Sequence, residues 1–258
     1  MRRERNVAAK RTTTLFVCLA VLTLGSAEAQ TSNWDGRGFI SISGGGQFSD
    51  GEFETQLSVP TFDETARFET NHTSGSGGLL DVAGGVRIAG NLGVGVGLSL
   101  LTNQNDVSGT GTAPNPLFFD RPRDVVFQET GLEHREVGIH LSAVYIIPVS
   151  DRFLVSVFGG PTLFRLRQDI VSSVELGPET AAPLFDMVDV ASVSTTSISE
   201  TGFGGHIGFD GTFLLNDQLG VGGFFRYAGG SVDLPTGDTV VPVDVGGVQV
   251  GGGLRLFF

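Results

Sequence analysis

The chain has 258 residues, with 28 acidic against 16 basic side chains, one cysteine and 39 glycines, about twice the ordinary glycine usage. The glycines follow no Gly-X-Y period, which excludes collagen, and the single cysteine excludes an internal disulfide. The acidic balance argues against a nucleic-acid partner, because phosphate binding needs basic side chains.

The N-terminus predicts a signal peptide that is cleaved after Ala29. A basic segment is followed by the apolar stretch TTTLFVCLAVLTLGS and by AEA, an A-x-A cleavage site. The apolar stretch is too short for a membrane-spanning helix. Residues 30–258 then form one domain with 11 Lys+Arg, 26 Asp+Glu and no cysteine.

The rest of the chain alternates between apolar and small or polar residues in eight segments, which predicts eight β-strands. Their predicted bounds are 37–48, 78–89, 92–103, 132–148, 153–168, 197–214, 219–228 and about 245 to the end. The fifth strand carries GGP, which indicates a bulge. Tight turns alternate with four long connections, at 49–77, 104–131, 169–196 and 229–244. This alternation is typical of an antiparallel up-and-down transmembrane β-barrel with short periplasmic turns and long external loops.

The two faces of these strands predict which side meets lipid. The third strand sets Leu92, Val94, Val96 and Leu98 against glycines and Ser99. The apolar face is too extensive for the narrow lumen of eight strands, so we expect it to face lipid, unlike in a soluble lipocalin-like barrel. We expect aromatic belts at both membrane surfaces. The predicted periplasmic belt is Trp34, Tyr145, Phe153, Phe213 and Phe258, and the outer belt is Phe48 and Tyr227.

Charged residues on the opposite face predict a lumen closed by ion pairs, because both signs are present. The predicted lumen network is Arg37, Asp81, Arg87, Glu136, Glu200, Asp210, Arg226 and Arg255. We expect Arg226 to be a central partner, paired with Glu200 on the neighbouring strand and within reach of Asp81 and Glu136. His140 and His206 also face inward, either as a metal or acid–base site or, as we favour, as part of a polar network.

The long connections are acidic. Residues 49–77 carry six carboxylates, and residues 169–196 carry five. Solvation of external loops explains them, and weak Ca²⁺ or Mg²⁺ binding is the alternative, although no EF-hand spacing names a ligand set.

The chain ends in VQVGGGLRLFF, whose strict alternation continues to the last residue. Together with the signal peptide, the eight strands and the loop pattern, this tail resembles the small outer-membrane β-barrel family of the OmpA/OmpX/OmpW type. Gly253, Leu256 and Phe258 match the C-terminal assembly signal of that family, while Gly251 stands where a polar residue is usual. The resemblance implies that the barrel-assembly machinery of a Gram-negative envelope reads this strand.

The expected function follows from the fold and the resemblance together. We expect a monomeric outer-membrane barrel, surrounded by outer-membrane lipids, with a structural or surface-interaction role and without a cofactor, a resident metal or catalysis. Two alternatives stay open: a narrow channel for small apolar solutes, and a lipid-modifying barrel enzyme, although the site motifs of such enzymes are missing from the sequence.

Overall fold

Ten β-strands account for most of the chain. The computed structural model describes residues 38–49, 51–74, 76–179, 184–236 and 239–258. The strands are β1 (Gly38–Phe48), β2 (Gly51–Thr61), β3 (Glu64–Ser74), β4 (Gly77–Ala89), β5 (Leu92–Ala113), β6 (Arg123–Ser150), β7 (Phe153–Leu176), β8 (Val190–Leu214), β9 (Leu219–Thr236) and β10 (Thr239–Phe257). No helix in these ranges is long and apolar enough to cross a membrane. The predicted signal peptide, Trp34 and Arg37 lie outside the described residues.

Eight of the strands form an antiparallel ring in the order β1-β4-β5-β6-β7-β8-β9-β10. Pairing of β1 with β10, from Phe39↔Phe257 to Phe48↔Val248, closes the ring. Gly38 and Phe258 complete this closure with two backbone hydrogen bonds of 2.8 and 3.0 Å. The predicted eight-stranded antiparallel barrel is therefore confirmed.

The four long connections are shorter than the sequence analysis predicted. Strand structure reaches far into 104–131, 169–196 and 229–244, and 49–77 contains the extra hairpin β2–β3. The predicted strand ends fall short because alternation continues in these external segments, with the polar and apolar faces exchanged. The bulge predicted at GGP is also wrong. Strand β7 keeps one register with β8 from Gly159↔Ile207 through Pro161↔Gly205.

Strand β5 shows where the faces exchange. Its outward positions are first apolar, from Leu92 to Leu100, and then polar, from Thr102 to Thr112. The polarity of the outer face changes at matching positions in the neighbouring strands. The last apolar outward residues lie side by side, since Leu100 pairs with Val137 and Leu163 with Phe203. We call the part of the ring with the apolar outer surface the membrane zone, and the part beyond this boundary the external zone. The described belt residues Phe48, Tyr145, Phe153, Phe213, Tyr227 and Phe258 are all exposed on the outer surface.

The external zone divides into separate layers. Strand β3 pairs with β5 from Arg67↔Thr112 to His72↔Val107, which gives a four-stranded sheet β2-β3-β5-β6. Pairing of β6 with β7 stops at His134↔Gln168, and pairing of β8 with β9 stops at Phe203↔Ser231. Beyond these points β7–β8 and β9–β10 continue as two-stranded ribbons.

Two apolar cores hold these layers over the barrel. In the first, Phe68 and Phe127 of the four-stranded sheet share a buried cluster with Val171 and Val174 of the β7–β8 ribbon. The second joins Phe53 of β2 to residues of the barrel wall and of the β9–β10 ribbon, namely Phe164, Leu166, Ala228, Val232, Leu234, Val243 and Val245. The mouth of the barrel is thus covered by packed side chains.

Candidate functional site

The polar interior of the membrane zone is the candidate site. Near the external boundary, Arg226 of β9 donates from Nη2 to Oδ2 of Asp81 on β4 at 2.6 Å. Its Nε donates to Oε1 of Gln249 at 2.5 Å, and its guanidinium lies 5.2 Å from the ring centre of Phe224. Both charged groups are buried. Removal of either group would leave the other charge buried without its partner, which is costly.

The same network continues to the opposite wall. Gln249 donates to Gln47 at 2.5 Å, and Gln47 donates to Oε2 of Glu136 at 3.1 Å. Glu136 also accepts from the backbone N–H of Gly246 at 3.0 Å, and its Oε1 lies 2.9 Å from His134 Nε2. His134 Nδ1 lies 2.5 Å from Oε1 of Gln168. Side chains from β1, β4, β6, β7, β9 and β10 therefore meet inside the ring. We call this set the upper network: Asp81, Arg226, Gln249, Gln47, Glu136, His134 and Gln168.

A second ion pair lies closer to the periplasmic end. Arg255 of β10 pairs with Asp210 of β8 through Nη2, and its Nε donates to the same carboxylate oxygen at 3.1 Å. Arg255 Nη1 donates to Ser43 Oγ at 2.8 Å, and Thr212 donates to Asp210 at 2.7 Å. The positive and negative charges at this depth are balanced one to one.

Between the two ion pairs runs a chain of hydroxyls and imidazoles. His140 lies 2.9 Å from Ser99 through Nε2 and 2.9 Å from Thr162 through Nδ1. The Thr162 hydroxyl also lies 2.9 Å from His206 Nδ1, and His206 Nε2 lies 2.9 Å from Ser142. All four ring nitrogens have a hydroxyl partner, which is the arrangement of a satisfied polar network. Within the described ranges, groups of three or more possible metal ligands are not found.

Apolar side chains cluster at both ends of this polar interior, and a cavity lies among them. A cavity of about 80 Å³ lies beside the two arginines and is lined by Ser142, His140 and Asp210 among others. The cavity is also lined by Val144, Ile146, Leu154 and Phe257, which form a buried cluster toward the periplasmic end. Above it lie Leu79, Leu101 and Phe224 and then the core around Phe53.

Two members of the predicted lumen network, Glu200 and Arg87, lie outside the upper network and the second ion pair. Glu200 faces inward opposite Leu166 and is half-buried, but Arg226 donates to Asp81 and Gln249, so the predicted Arg226–Glu200 pair is wrong. The register explains this, because β8 and β9 stop pairing at Phe203↔Ser231, before β9 could offer Glu200 a neighbour. Arg87 is exposed beside the β4–β5 turn.

Several network residues were missed by the sequence analysis. The predicted network contained only acidic and arginine side chains. Gln47, Gln249 and Gln168 are amides and His134 is an imidazole, and all four are buried. Their inward position could have been read from the alternation of β1, β6, β7 and β10. The cross-lumen partners could not, because they depend on the shape of the closed ring.

The tail residues Gly253, Leu256 and Phe258 have distinct structural surroundings. Leu256 and Phe258 are exposed on the outer surface of the membrane zone. A Cβ at Gly253 would overlap the carbonyl oxygen of Ile42 on β1, so this position needs glycine for the close approach of two strands.

The family of the chain follows from its sequence. The family model for the outer membrane protein beta-barrel domain matches residues 16–255. The chain belongs to this family. It is an outer-membrane β-barrel protein, and its predicted location in the outer membrane is confirmed.

Three solved structures are similar to the chain at low identity. OprG from Pseudomonas aeruginosa has 15% identity and a TM-score of 0.45, over 86% of this chain and 97% of that one. Neisserial surface protein A has 13% identity and a TM-score of 0.37, over 86% and 97%. Ail from Yersinia pestis, solved with the heparin analogue sucrose octasulfate, has 12% identity and a TM-score of 0.33, over 85% and 99%. No curated protein matches the chain.

Proposed function

We propose that this outer-membrane protein is a closed, non-conducting barrel whose membrane zone is a structural anchor and whose external zone interacts with partners at the cell surface. The cross-lumen network carries the proposal. Arg226–Asp81 links β9 to β4, and Gln47–Glu136 links β1 to β6, so buried side chains bridge walls that are not neighbours in the ring.

The charge balance supports a plug over a pore. A pore for ions needs a hydrated path and benefits from lining charges of one sign. Here Arg226 and Arg255 each have a carboxylate partner, and Phe257 and Phe224 belong to two separate buried apolar clusters inside the ring. Water and ions would have to separate these groups to pass.

Conductance in planar lipid bilayers tests this proposal. We expect the wild-type protein to show little steady current. Arg226→Ala removes the side chain that bonds Asp81 and Gln249, so this variant should conduct ions measurably more often. Arg165→Ala is the matched control, because Arg165 is exposed on the outer surface of β7, and it should behave as wild type.

A large, steady wild-type conductance would overturn the closed-lumen proposal. It would favour the alternative of a narrow channel, which uptake of a small apolar solute into protein-containing vesicles would then measure. Equal conductance of the Arg226→Ala and Arg165→Ala variants would show that the upper network does not close the lumen.

We propose no catalytic role for the interior. Ser142 and His206 are at the distance of a nucleophile and its base, but His206 Nδ1 meets the Thr162 hydroxyl. A carboxylate at that nitrogen is what orients and stabilises the imidazole in serine hydrolases. The pair also lies inside the closed ring, away from lipid and from the cell exterior.

We also propose that outer-membrane lipids surround a monomer and that the tail is read during assembly. Deleting Phe258 removes an outward aromatic anchor and both hydrogen bonds that join the last residue to Gly38. The amount of folded protein in the outer membrane should fall severalfold. Deleting Ser150, at the end of β6, is the control of equal size and should have a smaller effect. Normal levels of the truncated protein would contradict the assembly role.

A further inference from the structure

Exposed apolar side chains gather where the external zone ends. The turn between β5 and β6 presents Leu117, Phe118 and Phe119, and Phe119 is 75% exposed. The turn between β7 and β8 presents Leu184 and Met187, which are 56% and 69% exposed. We call these five residues the tip patch. Aromatic and methionine side chains of this kind are enriched at protein interfaces and depleted elsewhere on surfaces.

A buried asparagine locks the two turns together. The Asn115 amide nitrogen donates to the carbonyls of Leu184 and Phe185, at 3.0 and 2.9 Å. Its amide oxygen accepts from the backbone N–H groups of Leu117 and Phe118, at 2.9 and 3.1 Å. One side chain thus fixes the backbone on both sides of the tip patch, and its own polar atoms are used in full.

A bidentate ion pair adds a second link between the same turns. Arg123, which is 3% exposed, donates from Nη1 and Nη2 to the two carboxylate oxygens of Glu179, at 2.5 and 2.9 Å. Arg123 also donates to the Pro114 carbonyl at 2.6 Å. This geometry restricts rotation as well as separation.

The turns hold unfavourable backbone conformations. Asp120 and Phe185 have φ of 59° and 48°, in the left-handed region that side chains other than glycine rarely adopt. Such conformations persist where the surroundings over-determine them, and they cluster at binding sites. The tip patch is therefore held in one geometry before any partner arrives, which lowers the entropy lost on binding.

The charges around the patch indicate the kind of partner. Asp120, Asp186 and Asp189 are exposed in the same two turns, and the exposed basic group Arg121 already lies over the Phe118 ring, 5.4 Å from its centre. A complementary surface carries an apolar pocket bordered by lysine or arginine. Anionic lipid headgroups would be repelled by these carboxylates.

We propose that the tip patch is a preformed docking site for a protein that offers such a pocket. The inference rests on the surface-interaction role proposed above and assigns it to five residues and their supports. It makes no use of the lumen. Its failure would leave the conductance results unchanged, so the two proposals fail separately.

A phage-displayed random peptide library tests the proposal, with the full protein held in lipid nanodiscs. We expect the enriched peptides to combine aromatic or aliphatic residues with lysine or arginine. Synthetic copies of them should bind L117S/F119S about tenfold more weakly than the wild type. Val240→Ser is the matched control, because Val240 is an exposed apolar residue on the β9–β10 ribbon, and it should bind as wild type.

Two further measurements separate the role of the locked turns from that of the patch side chains and from any loss of stability. Asn115→Ala leaves all five patch side chains in place but releases the turns, so it should weaken peptide binding severalfold. Unchanged binding would overturn the role of the locked geometry. Thermal unfolding of L117S/F119S should match that of the wild type, because the altered side chains are exposed.

Binding of the tip patch to a lipid surface or to a second copy of the chain would overturn the proposal, and each can be measured directly. Nanodisc protein is mixed with vesicles of phosphatidylcholine or phosphatidylglycerol, and flotation that depends on Phe119 would assign the patch to a lipid surface. Sedimentation of the detergent-solubilised protein reports self-association, and a dimer lost in L117S/F119S would assign the patch to a second copy. Failure to enrich peptides that distinguish wild type from L117S/F119S, or enrichment of acidic ones, would also overturn it.

Discussion

The membrane zone and the external zone are built on the same strands with opposite polarity. In the membrane zone the outer surface is apolar, as at Val94 and Val96, and the interior is polar, as at Ser99. In the external zone the outer positions of β5 are polar, whereas Val107 and Phe68 are buried inside. The strand pleat is unchanged across the boundary, so the surrounding solvent decides which face each kind of side chain takes.

The difference means that the two interiors are stabilised by different forces. Lipid offers the membrane zone no hydrophobic gain from burying apolar groups inside, so its interior can be filled with hydrogen bonds and ion pairs. Water surrounds the external zone, and burial of side chains such as Phe68 and Phe127 is favourable there, at about 25 cal/mol per Å². A substitution of one chemical type should therefore have unequal effects in the two zones.

The largest contrast is expected for an inward polar residue made apolar. Asp81→Leu leaves the Arg226 guanidinium buried without its carboxylate, and the loss of one partner typically costs about 3–5 kcal/mol. Thr55→Val, the matching change inside the external zone, removes one hydroxyl that bonds Thr70, and should cost about 1 kcal/mol. Urea unfolding in lipid vesicles measures both values.

The double variant D81L/R226M tests whether the stability lost in D81L comes from the unpaired Arg226. Replacing both partners of a buried ion pair by apolar residues is often neutral, so stability should largely return. A D81L protein as stable as the wild type would show that the lumen is hydrated enough to solvate the free guanidinium, and the closed interior would have to be abandoned.

An arginine on the outer surface should also have unequal effects on the stability of the two zones. Val96→Arg places a guanidinium on the lipid-facing surface between Leu92 and Leu100, where arginine costs about 2–4 kcal/mol. Ser108→Arg makes the same charge change on the outer surface of β5 in the external zone, where surface substitutions stay within about 0.5 kcal/mol. Vesicle unfolding of both variants locates the boundary. Equal costs would place Ser108 in lipid as well.

The membrane zone could be predicted from the sequence because lipid imposes a long, strict pattern. Alternation identified all eight ring strands and the outward position of Leu92–Leu100, and tight turns fixed the order of neighbours. The inward position of Arg226 followed from the same period. Its partner did not, because neighbours along the chain are known from sequence whereas neighbours across the lumen depend on the ring closing at β1–β10.

The external zone was missed for a related reason. Its polar outward residues, such as Gln104 and Asp106, were interpreted as loop composition. The inward residues that follow each of them, Asn105 and Val107, alternate with the same period of two. The predicted strands rest on an apolar outer face, and beyond the boundary the apolar face is on the inside. The apolar turn at Leu117–Phe119 could be seen in sequence, but the Asn115 link to Leu184 joins residues 69 positions apart.

The smallest effect concerns pH in the external zone. His72 of β3 is 1% exposed, its ring stacks on Phe53 at 4.6 Å, and its Nδ1 has no hydrogen-bond partner among the described residues. Burial lowers the pKa of His72 to about 4 from its ordinary 6.5. The folded hairpin therefore binds fewer protons than the opened one between these two values, and its stability is lost as pH falls from 6.5 toward 4. At pH 5 the loss is about 2 kcal/mol.

Amide hydrogen exchange of β2 and β3, corrected for the intrinsic pH dependence of exchange, measures this loss. Protection should fall between pH 7 and pH 5 in these two strands, since β2 is held by packing of Phe53 and by pairing with β3. His72→Phe keeps a ring on Phe53 and removes the titration, and the Thr55 and Thr70 hydroxyls still bond each other. The variant should therefore keep its protection at pH 5. If its protection falls as steeply as that of the wild type, another group controls the opening of the hairpin, and the buried histidine does not.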